Sequence, residues 1–292
     1  MDRFINCIAH NASEGNLLIG DTKTAMFDCG MQFCANQTIE NVKNALNGRT
    51  LDYIFATHTH YDHIGALPMF RKHFPNVKLI TSDIGSTVLQ KDTPRRVIRE
   101  LSITAAKDYG SGNVAEYSDD TFVADIIIKD GDVIDLGGIS VQVIETPRHT
   151  RDSLSFYVPE LELLIVSETT GVMFPDGSMY PSYLVGFDMS VDAIEKCGKL
   201  PFKHLSLPHR GLVDENTAKE YFKRAVDMVN CCRDFVIDMY QNGLSDNDML
   251  DKFFEKFGSK TLLTFQPKAA FNANAYATIA CAIRENNVKI GK

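Results

Sequence analysis

Three of the chain's eight histidines and one aspartate stand within six residues, in the segment Thr57-His58-Thr59-His60-Tyr61-Asp62-His63. Imidazole and carboxylate side chains hold divalent cations, and residues two apart in an extended segment project to the same side. His58 and His60 can therefore grip one cation, while Asp62 and His63, where the chain turns into a helix, can serve a second one nearby. An isolated histidine is usually satisfied by a backbone carbonyl, but a cluster this dense points to metal. Four residues cannot complete two coordination shells, so more ligands are expected from other strand ends. His149 in Thr146-Pro147-Arg148-His149-Thr150, Glu168 after an apolar run, and His209 in Leu207-Pro208-His209-Arg210-Gly211 all occupy such positions.

A divalent cation lowers the pKa of bound water from about 16 toward about 7, and two cations close together can share the resulting hydroxide. That nucleophile suits an ester, thioester, lactone or phosphoester centre and needs no serine or cysteine. Asp62 can orient it or relay its proton while also binding metal. Among metals, a histidine-rich site with a carboxylate suits zinc first, with iron and manganese as alternatives. Tyr180 and Tyr183 are candidate donors to a developing oxyanion, and Met173 and Phe174 are candidate walls of an acyl pocket, although such loop residues are more often packing. His10, His73 and His204 have no partners at informative spacing and read as structural or surface residues.

The elements that must position these groups follow from periodicity and punctuation. Residues 16–19 and 24–27 suggest a hairpin, 38–46 a helix, 51–57 a strand, 65–74 a helix and 78–81 a strand, which together make a βαβ pattern. A polar stretch, 91–124, interrupts it and reads as an insertion over one face, with one helix at 94–106 and a Gly/Ser/Asp-rich part at 110–120. Strands then resume at 126–129, 133–136, 139–146, 153–158 and 163–167, and the short turns between them imply antiparallel neighbours. Beyond Pro208 the pattern is helical, with a cap signal at Ser245-x-x-Asp248 and further helices through 257 and over 267–284. These groups predict an α/β chain with two sheets inside and helices outside, and active chemistry where loops leave the strand ends. The expected division is a sandwich domain at 1–213 and a helical extension at 214–292.

The chain has 292 residues, 44% of them hydrophobic and 23% charged, and a formal charge of −8. This is a globular composition and not a disordered or fibrous one. The acidic balance argues against nucleic acid, which requires clustered Lys and Arg, and no apolar run is long enough for a membrane span. A small-molecule substrate is expected, with self-association left open. Seven scattered cysteines without a C-x-x-C pair fit a reducing compartment, so the expected location is the cytoplasm. Adjacent Cys231 and Cys232 should point in different directions on a helix.

The segment His58-x-His60-x-Asp62-His63 resembles the H-x-H-x-D-H signature of the metallo-β-lactamase-fold hydrolases, and the later residues fall in that family's order. The likeness covers roughly residues 10–215, including an opening hairpin that ends in Asp28-Cys29-Gly30. It implies a four-layer αββα sandwich in which His58, His60 and His149 bind one metal and Asp62, His63 and His209 a second, bridged by an acidic residue. The helical tail is similar to that of the lactonase, thioesterase and glyoxalase II-like branches, where extra helices wall the substrate pocket. Two positions depart from the pattern. Glu168 stands where the bridging residue is usually Asp, and it either accommodates the additional methylene as a ligand or pairs elsewhere. Arg148 stands where Gly usually precedes the third-motif histidine, and it either clamps a substrate anion or stabilises the loop.

Three readings compete. The first is a metal-dependent hydrolase acting through a metal-bound hydroxide. The second is an iron oxidoreductase on the same scaffold, although the di-iron flavoprotein branch typically has Glu where this chain has His60, and 292 residues leave no room for a flavodoxin module. The third is a ligand-binding or signalling protein that keeps the metals but has little catalysis.

Overall fold

Apolar side chains on both faces of the inner strands dictate burial from two sides, and the fold supplies it. In β3 (Thr24–Phe27) and β4 (Tyr53–Phe55), Ala25, Phe27 and Phe55 point one way, and Met26 and Ile54 the other. The computed structural model describes residues 2–109 and 114–290. It contains two sheets of six strands each. The first runs β1 (Phe4–Asn6), β2 (Asn16–Ile19), β3, β4, β5 (Lys78–Ser82) and β6 (Ile126–Ile128), with β3 to β6 parallel. The second runs β14 (Gly211–Leu212), β13 (His204–Leu207), β10 (Leu163–Ile165), β9 (Leu154–Val158), β8 (Ser140–Glu145) and β7 (Val133–Asp135). Within it β7 to β10 form an antiparallel meander, while β13 lies parallel to β10. A short hairpin, β11 (Val172–Met173) with β12 (Met179–Tyr180), stands apart.

The sheets meet through interdigitated aromatics. Phe156 of the second sheet lies 5.1 Å from Phe27 and 5.3 Å from Phe55, ring centre to ring centre. On the outer face of the first sheet, Leu17, Met26, Ile54 and Leu79 pack against helices including α1 (Ala35–Leu46) and α3 (Leu67–His73). On the outer face of the second, Leu164, Leu205 and Leu207 pack with residues of α6 (Phe187–Gly198), α7 (Glu215–Gln241), α8 (Asp246–Phe257) and α9 (Lys268–Ile290). The layers are therefore αββα, as the sequence implied. Ser245 caps α8 by accepting from the Asp248 N–H at 3.3 Å, and Asp214 caps α7 through the N–H groups of Asn216 and Thr217.

One expectation fails. Strands β6 and β7 are not antiparallel neighbours: Ile80 pairs with Ile126 in parallel register, whereas β7 begins the other sheet. The turn between them crosses from one layer to the other, and the Gly131 N–H bonds to the Val143 carbonyl at 2.9 Å. Short spacing identifies a turn but not the sheet that receives the next strand. Within 91–124, α5 (Asp92–Asp108) packs on α2 (Tyr61–Ile64) and on α4 (Asp83–Leu89), a helix the sequence reading did not assign. Part of the Gly/Ser/Asp-rich stretch lies outside the described residues. Among the described residues, no helix is long and apolar enough to cross a membrane. The seven cysteines are free, with Cys231 exposed and Cys232 buried.

Candidate metal centre

The ends of β4, β8, β10 and β13 open on one edge of the sandwich. His58 and His60 follow β4, with Asp62 and His63 on α2; His149 follows β8, Glu168 opens a short turn after β10, and His209 lies between β13 and β14. The structure brings all seven together in two groups, His58/His60/His149 and Asp62/His63/Glu168/His209, in each of which the ligand atoms lie within 4.8 Å of one another.

Second partners fix which nitrogen faces the centre. His63 donates its Nδ1 proton to Asp28 Oδ2 at 2.8 Å, and His149 donates its Nδ1 proton to the Ser182 carbonyl at 3.0 Å, so each turns its Nε2 toward the centre. Against the effect of burial, Asp28 and Asp62 hold the His63 pKa well above the ordinary imidazole value, a positive charge that a bound cation would replace. His58 Nδ1 lies 3.1 Å from Thr57 Oγ1, whose own proton goes to Asp28, and His58 Nε2 is buried without a hydrogen-bond partner. Such an orphaned acceptor costs free energy unless it meets a cation. Burial holds the His58 pKa well below the ordinary imidazole value and pushes that of His60 down to about 3, so both rings are neutral, the form that ligates metal. His60 Nδ1 and His149 Nε2 face each other at 3.0 Å.

Glu168 settles into the middle of the centre. Its Oε1 is 2.8 Å from His209 Nε2 and 3.1 Å from His63 Nε2, while its Oε2 is 3.4 Å from His149 Nε2 and accepts from Ser182 Oγ at 3.1 Å. Burial alone would raise its pKa, but the surrounding His149, His209 and His63 hold it well below the usual carboxylate range. The longer side chain thus reaches both groups, one oxygen toward each. Asp62 Oδ2 stands 3.7 Å from His209 Nε2 and 3.8 Å from His63 Nε2.

Backbone strain also collects here. Two of the four described non-glycine residues with positive φ are Asp28 and His209, each at 57°. The His209 N–H is held by the carboxylate of buried Glu14, whose pKa burial raises to about 7.

The orphaned His58 nitrogen, the neutral imidazoles of His58 and His60 and the central carboxylate fit divalent metal. A model of the metallo-beta-lactamase superfamily matches residues 16–209 of the chain. The chain belongs to the metallo-beta-lactamase superfamily. It is 25% identical over 215 residues to a metallo-beta-lactamase fold-containing protein of Sulfurisphaera tokodaii, covering 71% of this chain and 76% of that one. It is 29% identical over 177 residues to a nitric oxide reductase of Moorella thermoacetica, covering 60% of this chain and 36% of that protein. The crystal structure of a metallo-beta-lactamase family protein from Thermus thermophilus superposes with a TM-score of 0.67 at 15% identity, covering 98% of this chain and 95% of that one.

A cleft of about 740 Å³ opens over the two groups, with His60, Asp62, Glu168 and His209 on its floor. Tyr180 and Phe174 line it, and the Tyr180 hydroxyl is buried with no partner among the described residues. Three other expectations change. Tyr183 is buried in the outer core, where its hydroxyl contacts Cys232 Sγ at 3.5 Å and its ring stands edge-on to Phe187, so it cannot reach an oxyanion at the metals. Met173 packs in the same core cluster and is absent from the cleft wall. Arg148 spends its guanidinium on the backbone carbonyls of Met189 and Pro147, which pins its loop, and a substrate clamp there is not what the geometry builds. Arg151, three residues on, lines the cleft instead.

The sequence reading passed over Asp28 as a functional group, along with Ser182 and Thr57. In the sequence Asp28 reads only as part of the Asp-x-Gly turn, yet an acidic residue closing a buried strand is itself a signal that something must consume its charge. His10, His73 and His204 stand apart from the centre: His10 Nδ1 accepts from the Ala12 N–H at 3.2 Å, and His73 and His204 are exposed.

Proposed function

We propose that the chain is a metal-dependent hydrolase of small ester-type substrates, namely esters, thioesters, lactones or phosphoesters. The observation that carries the reading is the pair of ligand groups under one cleft, sharing Glu168 between them. His58, His60 and His149 would hold one divalent ion and Asp62, His63 and His209 the other, zinc first and iron or manganese as alternatives. Such ions supply a water-derived nucleophile at neutral pH and polarise the bond under attack.

The chain's own groups do the rest. Asp28, Ser182 and Thr57 keep the imidazole protons on the side away from the cleft. Asp62, whose pKa burial raises, takes or holds the proton that the attacking water releases. Tyr180 donates its free hydroxyl to the developing oxyanion. For a carboxylic ester or thioester, water's oxygen bonds to the acyl carbon, the bond to the leaving oxygen or sulfur breaks, and the departing group leaves with a proton.

The experiment is a panel of ester, thioester, lactone and phosphodiester substrates offered to the zinc-loaded protein and to His60→Ala. Turnover by the first and its loss in the second is the expected result; no turnover across the panel defeats the reading. The relation to a nitric oxide reductase favours a second reading, an iron-dependent oxidoreductase. Consumption of oxygen or nitric oxide by the iron-loaded protein, without hydrolysis, would establish it.

A further inference from the structure

Three helices turn apolar residues toward the cleft that the metal ligands do not require. Ile84 and Val88 lie one helical turn apart on α4, Val97 and Leu101 on α5, and Ala269 and Ala273 on α9, and all six line the same space as His60, Asp62, Glu168 and His209. Residues four apart share one helix face. Ordinarily a solvent-facing helix surface is polar, yet Ile84 remains 44% exposed and Val97 42% exposed. The pattern extends to α9. Its inner face buries Phe271, Ala275 and Ile279 in the core, while Ala269 and Ala273 face the cleft beside the single polar side chain of Asn274. The alanines also keep that wall low, leaving the width of the cleft open.

Resting on the hydrolase reading, we propose that the substrate carries a linear aliphatic chain that lies between α5 and α9, with its scissile bond at the metal ligands. Continuity decides this occupant: the apolar walls and the ligand-bearing floor bound a single cleft, so a molecule with an apolar tail and a reacting head fills it without a gap. The volume of about 740 Å³ falls within the range of about 300–1,000 Å³ that encloses a small molecule. A second macromolecule would have to enter past those walls to reach the ligands.

The test separates binding from turnover. Dissociation constants of butanoate, hexanoate, octanoate and decanoate are measured by calorimetry on the zinc-loaded full chain, beside kcat/KM for the p-nitrophenyl esters of the same acids. Affinity should rise by about twofold to fourfold per methylene, the upper figure being full burial of each CH₂. Ala273→Trp, which raises the low wall, and Val97→Lys, which makes the opposite wall polar, should each flatten that slope. Metal content and melting temperature report whether either variant remains folded, and two variants on different helices guard against the failure of one. A slope that climbs with chain length in the absence of ester turnover supports the chain site and removes the hydrolase reading. Turnover with affinity independent of chain length, or a slope unchanged in both folded variants, overturns the chain site and leaves the hydrolase reading standing.

Discussion

Replacing Asp28 by Asn tests how far the metal centre depends on a residue that binds no metal. The carboxylate is 2% exposed and accepts from the Thr57 N–H at 2.7 Å, from Thr57 Oγ1 at 2.8 Å and from His63 Nδ1 at 2.8 Å. Asn is nearly the same shape and tolerates the positive φ of 57°, so the turn itself is preserved. The amide oxygen can still accept from the Thr57 N–H, but an NH₂ group then faces the two protons that Oδ2 received. At least one charge-assisted bond disappears, worth about 1.5–3 kcal/mol. His63 is pressed to move its proton to Nε2, the nitrogen that faces Glu168 Oε1 at 3.1 Å and is needed bare for ligation. Loss of such a supporting partner typically lowers metal affinity about 10–100-fold, or about 1.4–2.7 kcal/mol. Chelator competition with metal analysis is the assay. The expected outcome is biphasic release, in which the ion at Asp62/His63/Glu168/His209 leaves early and the one at His58/His60/His149 is held more tightly. Equal weakening of both ions, or of neither, would refute the argument that Asp28 acts through the His63 tautomer.

Shortening Glu168 to Asp should release its grip on one of the two groups, because the present carboxylate reaches His209 at 2.8 Å on one side and His149 at 3.4 Å on the other. Metal stoichiometry should fall toward one ion with loss of turnover, and a gain in hydrolysis would show instead that the longer side chain suppresses the chemistry. Tyr180→Phe removes a hydroxyl without emptying the cleft and should lower kcat by about 100-fold at nearly constant KM; an unchanged kcat would take the hydroxyl out of the reaction. Gly30→Ala should destabilise the fold by at least roughly 1–3 kcal/mol in denaturant titration. At its φ of +77°, an added Cβ would stand 2.1 Å from Ser13 Oγ and 2.6 Å from the Glu14 carbonyl. A midpoint unchanged from that of the parent protein would show that this turn yields.

Much of the ligand set was legible because its residue types are rare together and recur at strand ends, where a buried strand must hand its chain to a loop. The helix at 246–257 is announced by its Ser245 cap, and the last helix is legible over 267–284 from its pattern, although it continues to Ile290. Supporting contacts were not legible in the same way. Asp28 meets His63 across 35 residues of chain, and Ser182 meets His149 across 33, and no local period encodes such a meeting. Arg148 and Tyr183 misled for a related reason. A polar tip beside a metal motif reads the same whether it faces the cleft or bonds elsewhere, and here a carbonyl of α6 claims one and a cysteine of α7 the other. Likewise the parallel pairing of β6 with β5 depends on α5 and the chain around it returning the strand to the first sheet, which no turn motif states.

The ligands are drawn from opposite halves of the sandwich: His58, His60, Asp62 and His63 belong with the first sheet, and His149, Glu168 and His209 with the second. An ion held between them therefore works as a clasp across the seam. An ion that binds the folded chain alone stabilises it in proportion to the logarithm of its free concentration. Removing such an ion would then do more than empty the site. It would loosen the seam between the two sheets and open it to proteases.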